Sequence, residues 1–122
     1  MSVSPSLFES ARAVDIDVGV FKYVLINMSD NRTLRARKLV RGYNGCEFHA
    51  DVLSLATTRL VDPNITLNCV GGGRINHDAE HKKIHIYGYS QGFGRADHAS
   101  ATELCREAFG ADYTLTWSDE GY

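Results

Sequence analysis

The chain has 122 residues, enough for one domain around a single core, and its 13 Lys and Arg against 15 Asp and Glu leave a net charge of −2. That balance gives no broad basic field, which argues against nucleic acid as a partner, and no apolar run approaches the ~20 residues a membrane span needs. Cys46, Cys69 and Cys105 are odd in number, widely spaced and without a C-x-x-C pair. Reduced thiols in a cytoplasmic chain are therefore expected, rather than a disulfide framework or a zinc knuckle.

Residues 1–13 are Ser-rich and aperiodic, lack a basic stretch followed by an apolar one, and are expected to form a flexible segment ahead of a domain at 14–122. Residues 19–26, GVFKYVLI, are almost continuously apolar and predict a strand buried on both faces, with Lys22 as its one charge. A lysine in such a run either snorkels out at an edge or points into a polar cavity, so Lys22 is a candidate anion ligand. After a polar turn at 29–35, residues 37–43 predict a second strand, antiparallel to the first. From about Cys46 the period becomes helical, with Val52, Leu53, Ala56 and Leu60 on one face, which puts His49 in the first turn.

Residues 69–90 organise the rest. Two β-branched runs, 65–70 and 84–89, flank a short segment at 74–77, and the pattern predicts a strand meander at the centre of a sheet. Gly71, Gly72 and Gly73 remove three consecutive side chains before Arg74, which suits close backbone approach or positive φ better than an ordinary strand. Beyond Ser90 lies a Gly-containing loop. Asp97 is a predicted N-cap for a helix over 98–109 with Ala101, Leu104, Cys105 and Ala108 inward, Gly110 is its stop, and residues 113–117 alternate as a last strand. Six short strands and two helices make an α/β or α+β domain, a mixed sheet with helices packed on it.

Several familiar chemistries fall short. His77, His81 and His85 are four apart, but the alternation around Ile84 and Ile86 is that of a strand, so helical metal-ligand spacing is lost and no metal site is expected. Cys69 and Arg74 have four residues between them, one fewer than thiolate-loop phosphatases use. Asp15-Ile-Asp17 imitates paired phosphatase aspartates without the preceding apolar strand, and Ser90 lacks the glycine of a nucleophile elbow. What remains is a set of cations and histidines on separate elements beside glycine turns: Lys22, Arg41, His49, Arg74, His77 and the loop 90–94. Phosphate chemistry without a metal is the leading physical reading.

Blocks spread over most of the chain carry a resemblance: VFKYVLI at 20–26, VRGY at 40–43, HAD at 49–51, GGGRI at 71–75 with His77, KKIHIYGYS at 82–90, and Trp117 with Gly121-Tyr122. In this combination the chain resembles the phosphohistidine phosphatase family, which includes the Janus proteins of insects. The resemblance implies a small enzyme without cofactors that removes phosphate from histidine, and by extension lysine, of other proteins. It implies His49 as the essential histidine, Lys22 as a phosphate contact, and Ser90, Gln91 and Gly92 as the substrate loop. Arg41 and Arg74 match basic residues around the pocket, and His77 and His98 match further pocket histidines. The chain departs from the pattern at Phe48, where the family has Tyr, and at Phe93 in the substrate loop. Residues 29–37 and 54–68 also match poorly. These departures bear on substrate preference more than on chemistry.

The expected mechanism has neutral His49 accepting a proton from an attacking water while Lys22 and loop N–H groups hold the phosphoryl oxygens, the N-terminus of the last helix assisting. A second route makes His49 the nucleophile. The alternative outside catalysis is a phosphohistidine or phosphopeptide reader that uses the same cations. No long apolar edge or heptad is present, so a monomer is expected.

Overall fold

The computed structural model describes residues 6–121. Its elements in order are α1 (Leu7–Ser10), β1 (Val14–Ile16), β2 (Gly19–Asp30), β3 (Ala36–Gly42), α2 (His49–Arg59), β4 (Ile65–Asp78), β5 (Lys83–Tyr87), α3 (His98–Phe109) and β6 (Thr114–Trp117). The strands form one mixed sheet in the order β1-β3-β2-β4-β5-β6, parallel at its two outer pairs and antiparallel within. The α+β architecture expected from the sequence is the one observed. No helix among the described residues is long and apolar enough to cross a membrane.

Central strand β2 shows why the sheet carries helices on both sides. Its side chains alternate between two cores: Val24, Ile26 and Met28 pack with Val52 and Ala56 of α2, whereas Phe21, Tyr23 and Leu25 pack with Ala101 and Cys105 of α3. Both sets being apolar, the strand reads as a continuous hydrophobic run. Lys22 breaks that run on the α2 side, where it lines a cavity together with the first residues of α2.

Two expectations are corrected here. The predicted strands 65–70 and 74–77 are one strand, β4, bent at its glycines, and the sixth strand is instead β1, short and polar enough to escape the periodicity. The segment expected to be flexible carries α1 over its described part, with Phe8 and Ala11 buried in the α2-side core and Ser6 Oγ accepting from the Glu9 amide. Residues 1–5 lie outside the described residues. In α3 the predicted cap holds, Asp97 Oδ1 accepting from the Ser100 amide at 3.1 Å and Gly110 following with φ +88°, but Ala108 is exposed and Phe109 closes the inward face.

Candidate active site

The three glycines of β4 bring the site together, and each makes room for a different neighbour. Gly71 (φ +141°) lies against the backbone of Ala96, where an added Cβ would come within 2.6 Å. Gly72 lies under His49 and Ser90, and Gly73 lies under His98 and the Tyr87 carbonyl. With side chains absent, the loop after Ser90 hydrogen-bonds directly onto the strand: the Gly72 amide donates to the Gly94 carbonyl and the Ala96 amide to the Gly72 carbonyl, both at 3.0 Å. The strand register shifts at the same point, a bulge opposite Leu25 and Ile26.

The result is a cavity of about 560 Å³ lined by Lys22 of β2, Arg74 of β4, residues 47–50 at the start of α2, and residues 89–93. Lys22 and Arg74 are register partners across β2 and β4, and neither makes an ion pair or side-chain hydrogen bond among the described residues. Two half-buried cations held side by side without a paired carboxylate repel one another, an arrangement that a bound anion would relieve; Glu47 lines the same cavity but bridges to neither.

His49 stands beside them at the first position of α2. Its Nε2 lies 2.8 Å from the Gly73 carbonyl, and because a carbonyl only accepts, Nε2 carries the proton. In the neutral ring the lone pair is therefore on Nδ1, across the ring from the Cδ2 edge that rests on Gly72. Burial pulls the His49 pKa below the ordinary histidine value; the Gly73 bond opposes this, and the charges of Lys22 and Arg74 add to the lowering. A neutral ring with Nδ1 free is the form a proton acceptor needs.

Backbone donors complete the lining. Phe48 holds the N-cap position of α2 and offers no side-chain acceptor; the one cap bond runs the other way, from the Phe48 amide to Asp51 Oδ2 at 2.8 Å. The amides of His49 and Ala50 consequently donate to no described atom, and neither do those of Gln91 and Gly92 in the loop after Ser90. Ser90 Oγ accepts from the Phe93 amide at 3.1 Å, and Ser90 and Gly94 exchange backbone bonds, which holds that loop in a tight turn. Uncapped amides at a helix start and in a turn form an anion-binding surface.

Not every residue singled out from the sequence reaches this cavity. Arg41 is 3 % exposed and spends its guanidinium on the carbonyls of Arg12 (2.8 Å) and Val40 (2.9 Å), tying the chain ahead of β1 to β3. His77 packs against Phe109 and Tyr113, with Nδ1 donating to the Asp17 carbonyl and Nε2 accepting from the Tyr113 hydroxyl. His98 is 1 % exposed, with Nε2 donating to the Gly88 carbonyl at 2.7 Å and Nδ1 accepting from the Tyr23 hydroxyl at 2.5 Å. It supports the site from behind Gly73 rather than lining it. The helix whose N-terminus meets the cavity is α2, not the last helix, because α3 is capped by its own Asp97. Cys69 is held away from thiolate chemistry, its pKa pushed up by burial. Among the described residues no group of three His, Cys, Asp or Glu side chains is disposed to hold a metal ion. Phe48, exposed and lining the cavity, was marked in the sequence only as a departure from the family pattern, which has Tyr there.

Arg41 provides a direct check of this division. Arg41→Met is expected to lower folding stability by about 1–3 kcal/mol, since buried carbonyls lose their donor, while KM for a phosphorylated substrate stays at the parent value. Denaturant melts and steady-state kinetics on the same preparation measure both.

Comparison with known proteins agrees with the blocks already noted. Residues 8–113 match the family model for the Janus/Ocnus family. A protein of Sus scrofa named 14 kDa phosphohistidine phosphatase is 44 % identical over 115 residues, covering 89 % of this chain and 90 % of its own. The Homo sapiens protein of the same name is 42 % identical over 115 residues, covering 89 % and 91 %. The sex-regulated protein janus-A of Drosophila yakuba is 43 % identical over 104 residues, covering 85 % of this chain and 76 % of its own. On these matches the chain belongs to the Janus/Ocnus family.

Proposed function

We propose that this protein is a metal-independent protein phosphohistidine phosphatase, with His49 as the general base and a phosphohistidine-bearing protein as its substrate. The observation that carries the reading is the pairing of a histidine kept neutral, its Nδ1 lone pair free, with two uncompensated cations in one cavity. The names of the pig and human relatives point the same way.

The chemistry follows from the bond. A phosphoramidate breaks through a loose, metaphosphate-like transition state, so it needs positioning and charge neutralisation more than a strong nucleophile. Water attacks phosphorus in line with the P–N bond while Nδ1 of His49 takes its proton. The P–N electron pair returns to the substrate imidazole, which already carries a proton on its other ring nitrogen and leaves as the neutral ring; inorganic phosphate remains, and the proton on His49 passes to solvent. Lys22, Arg74, Ser90 and the amides of His49, Ala50, Gln91 and Gly92 surround the phosphoryl oxygens and are already in place before the charge develops. The same positive charge that suits phosphate repels a divalent cation, in keeping with chemistry that uses none. The same reading takes the protein to be a cytoplasmic monomer, in keeping with its free thiols.

Phosphate release from a phosphohistidine peptide is expected to persist in EDTA. Because His49 is the base and its pKa is depressed, the rate should hold from neutral pH down past the ordinary histidine value near ~6.5 and fall only below it, as the ring protonates. Loss of turnover on chelation, or a rate that keeps rising with acidity, contradicts the assignment.

A further inference from the structure

Phe48 breaks two local rules at one position. The N-cap of a helix favours Ser, Thr, Asp or Asn, and an apolar residue there forgoes about 0.5–2 kcal/mol of helix stability. The same side chain is 61 % exposed, so burial returns little of that cost. Singly exposed apolar residues are common, but this one lines the anion-binding cavity one residue before its base. Local conflicts of this kind concentrate at functional positions. A second phenylalanine, Phe93, lines the same cavity from a different element, the loop 90–94, and is anchored by partial packing on the α2-side core. The cavity lining thus joins cations, a hydroxyl and backbone amides with two phenylalanine rings.

Resting on the phosphohistidine reading, we propose that Phe48 and Phe93 form an aromatic clamp that selects a phosphorylated planar ring over a phosphorylated aliphatic amine. In-line attack places the leaving group on the far side of phosphorus from the water, away from His49 Nδ1. An imidazole leaving group is flat, and when protonated at its second ring nitrogen it is cationic until the P–N electron pair returns to it and it departs as neutral imidazole. Ring faces attract it by stacking, which persists through the transition state, and by cation–π interaction while the ring carries its charge. A lysine side chain leaves as an amine on a flexible stem that cannot stack and must be ordered to fit.

The test measures kcat/KM for a phosphohistidine peptide, a phospholysine peptide of the same sequence, and phosphoramidate, which has no ring. The parent protein is expected to prefer the phosphohistidine peptide. In Phe48→Ala the ratio of phosphohistidine peptide to phosphoramidate should fall by about tenfold, in the range stacking and cation–π contacts supply. Phe48→Tyr should restore the ratio. Phe48→Ser, a better N-cap, should keep the ratio low while the thermal midpoint holds or rises, which separates the ring from the helix start. Equal falls on all three substrates in Phe48→Ala, or a ratio restored by Phe48→Ser, overturn the clamp while leaving the phosphatase reading intact. A parent protein that releases no phosphate from phosphohistidine overturns both.

Discussion

His49→Gln is expected to lower kcat for phosphate release from phosphohistidine by about 10²–10⁴-fold, the contribution of a well-placed general base. Glutamine keeps an N–H donor for the Gly73 carbonyl and holds its place at the start of α2, but it has no lone pair that can take a proton near neutral pH. Binding of inorganic phosphate should survive, because Lys22, Arg74 and the free amides remain. That combination is what separates an enzyme from a phosphopeptide reader: a reader would lose neither property. Partial rescue of His49→Ala by added imidazole would support proton transfer as the missing function. The rival route, with His49 as nucleophile, passes through a phosphoimidazole on the enzyme; ³²P retained on the protein after rapid quench at alkaline pH would establish it in place of the base.

Gly72→Ala carries the second large effect. A Cβ built at Gly72 would stand 2.7 Å from His49 Cδ2, 2.8 Å from the Tyr23 carbonyl and 3.1 Å from Ser90 Cβ. The Tyr23 carbonyl belongs to the neighbouring strand and cannot move alone, so the imidazole and the substrate loop must yield. Overpacking of this kind costs about 1–3 kcal/mol of stability. Displacing the base by an ångström costs about 10²-fold in rate, so kcat should drop by that order even in the folded fraction. Circular dichroism establishes that the variant is folded, and single-turnover kinetics then isolate the chemical step. A folded Gly72→Ala protein with parental kcat would mean that His49 needs no support from this strand.

The three cations named from sequence show how far pattern alone reaches. Lys22 interrupts an apolar run, Arg74 follows a glycine triplet, and Arg41 sits in a strand ending at Gly42. As local patterns they are equally promising, yet Lys22 and Arg74 face one another across β2 and β4 while Arg41 turns to the carbonyls ahead of β1. The difference lies in strand β1, three residues whose pairing with β3 no periodicity announces. The histidines divide likewise. His49, His77 and His98 all have carbonyl partners through a ring nitrogen; His49 alone of the three lines the cavity.

The sequence by itself determined the two longer helices and most of the strands, because apolar period, capping residues and turn chemistry act over a few neighbours, but not β1 or α1. It also marked Gly71 to Gly73 as a place of close approach, since missing side chains are a local fact with a steric meaning. Only the tertiary structure decided what approaches there, which cations share a cavity and which imidazole nitrogen is left free. Those depend on strand register and sheet order, where residues fifty positions apart become neighbours and a one-residue slip would turn Lys22 from the cavity to the opposite core.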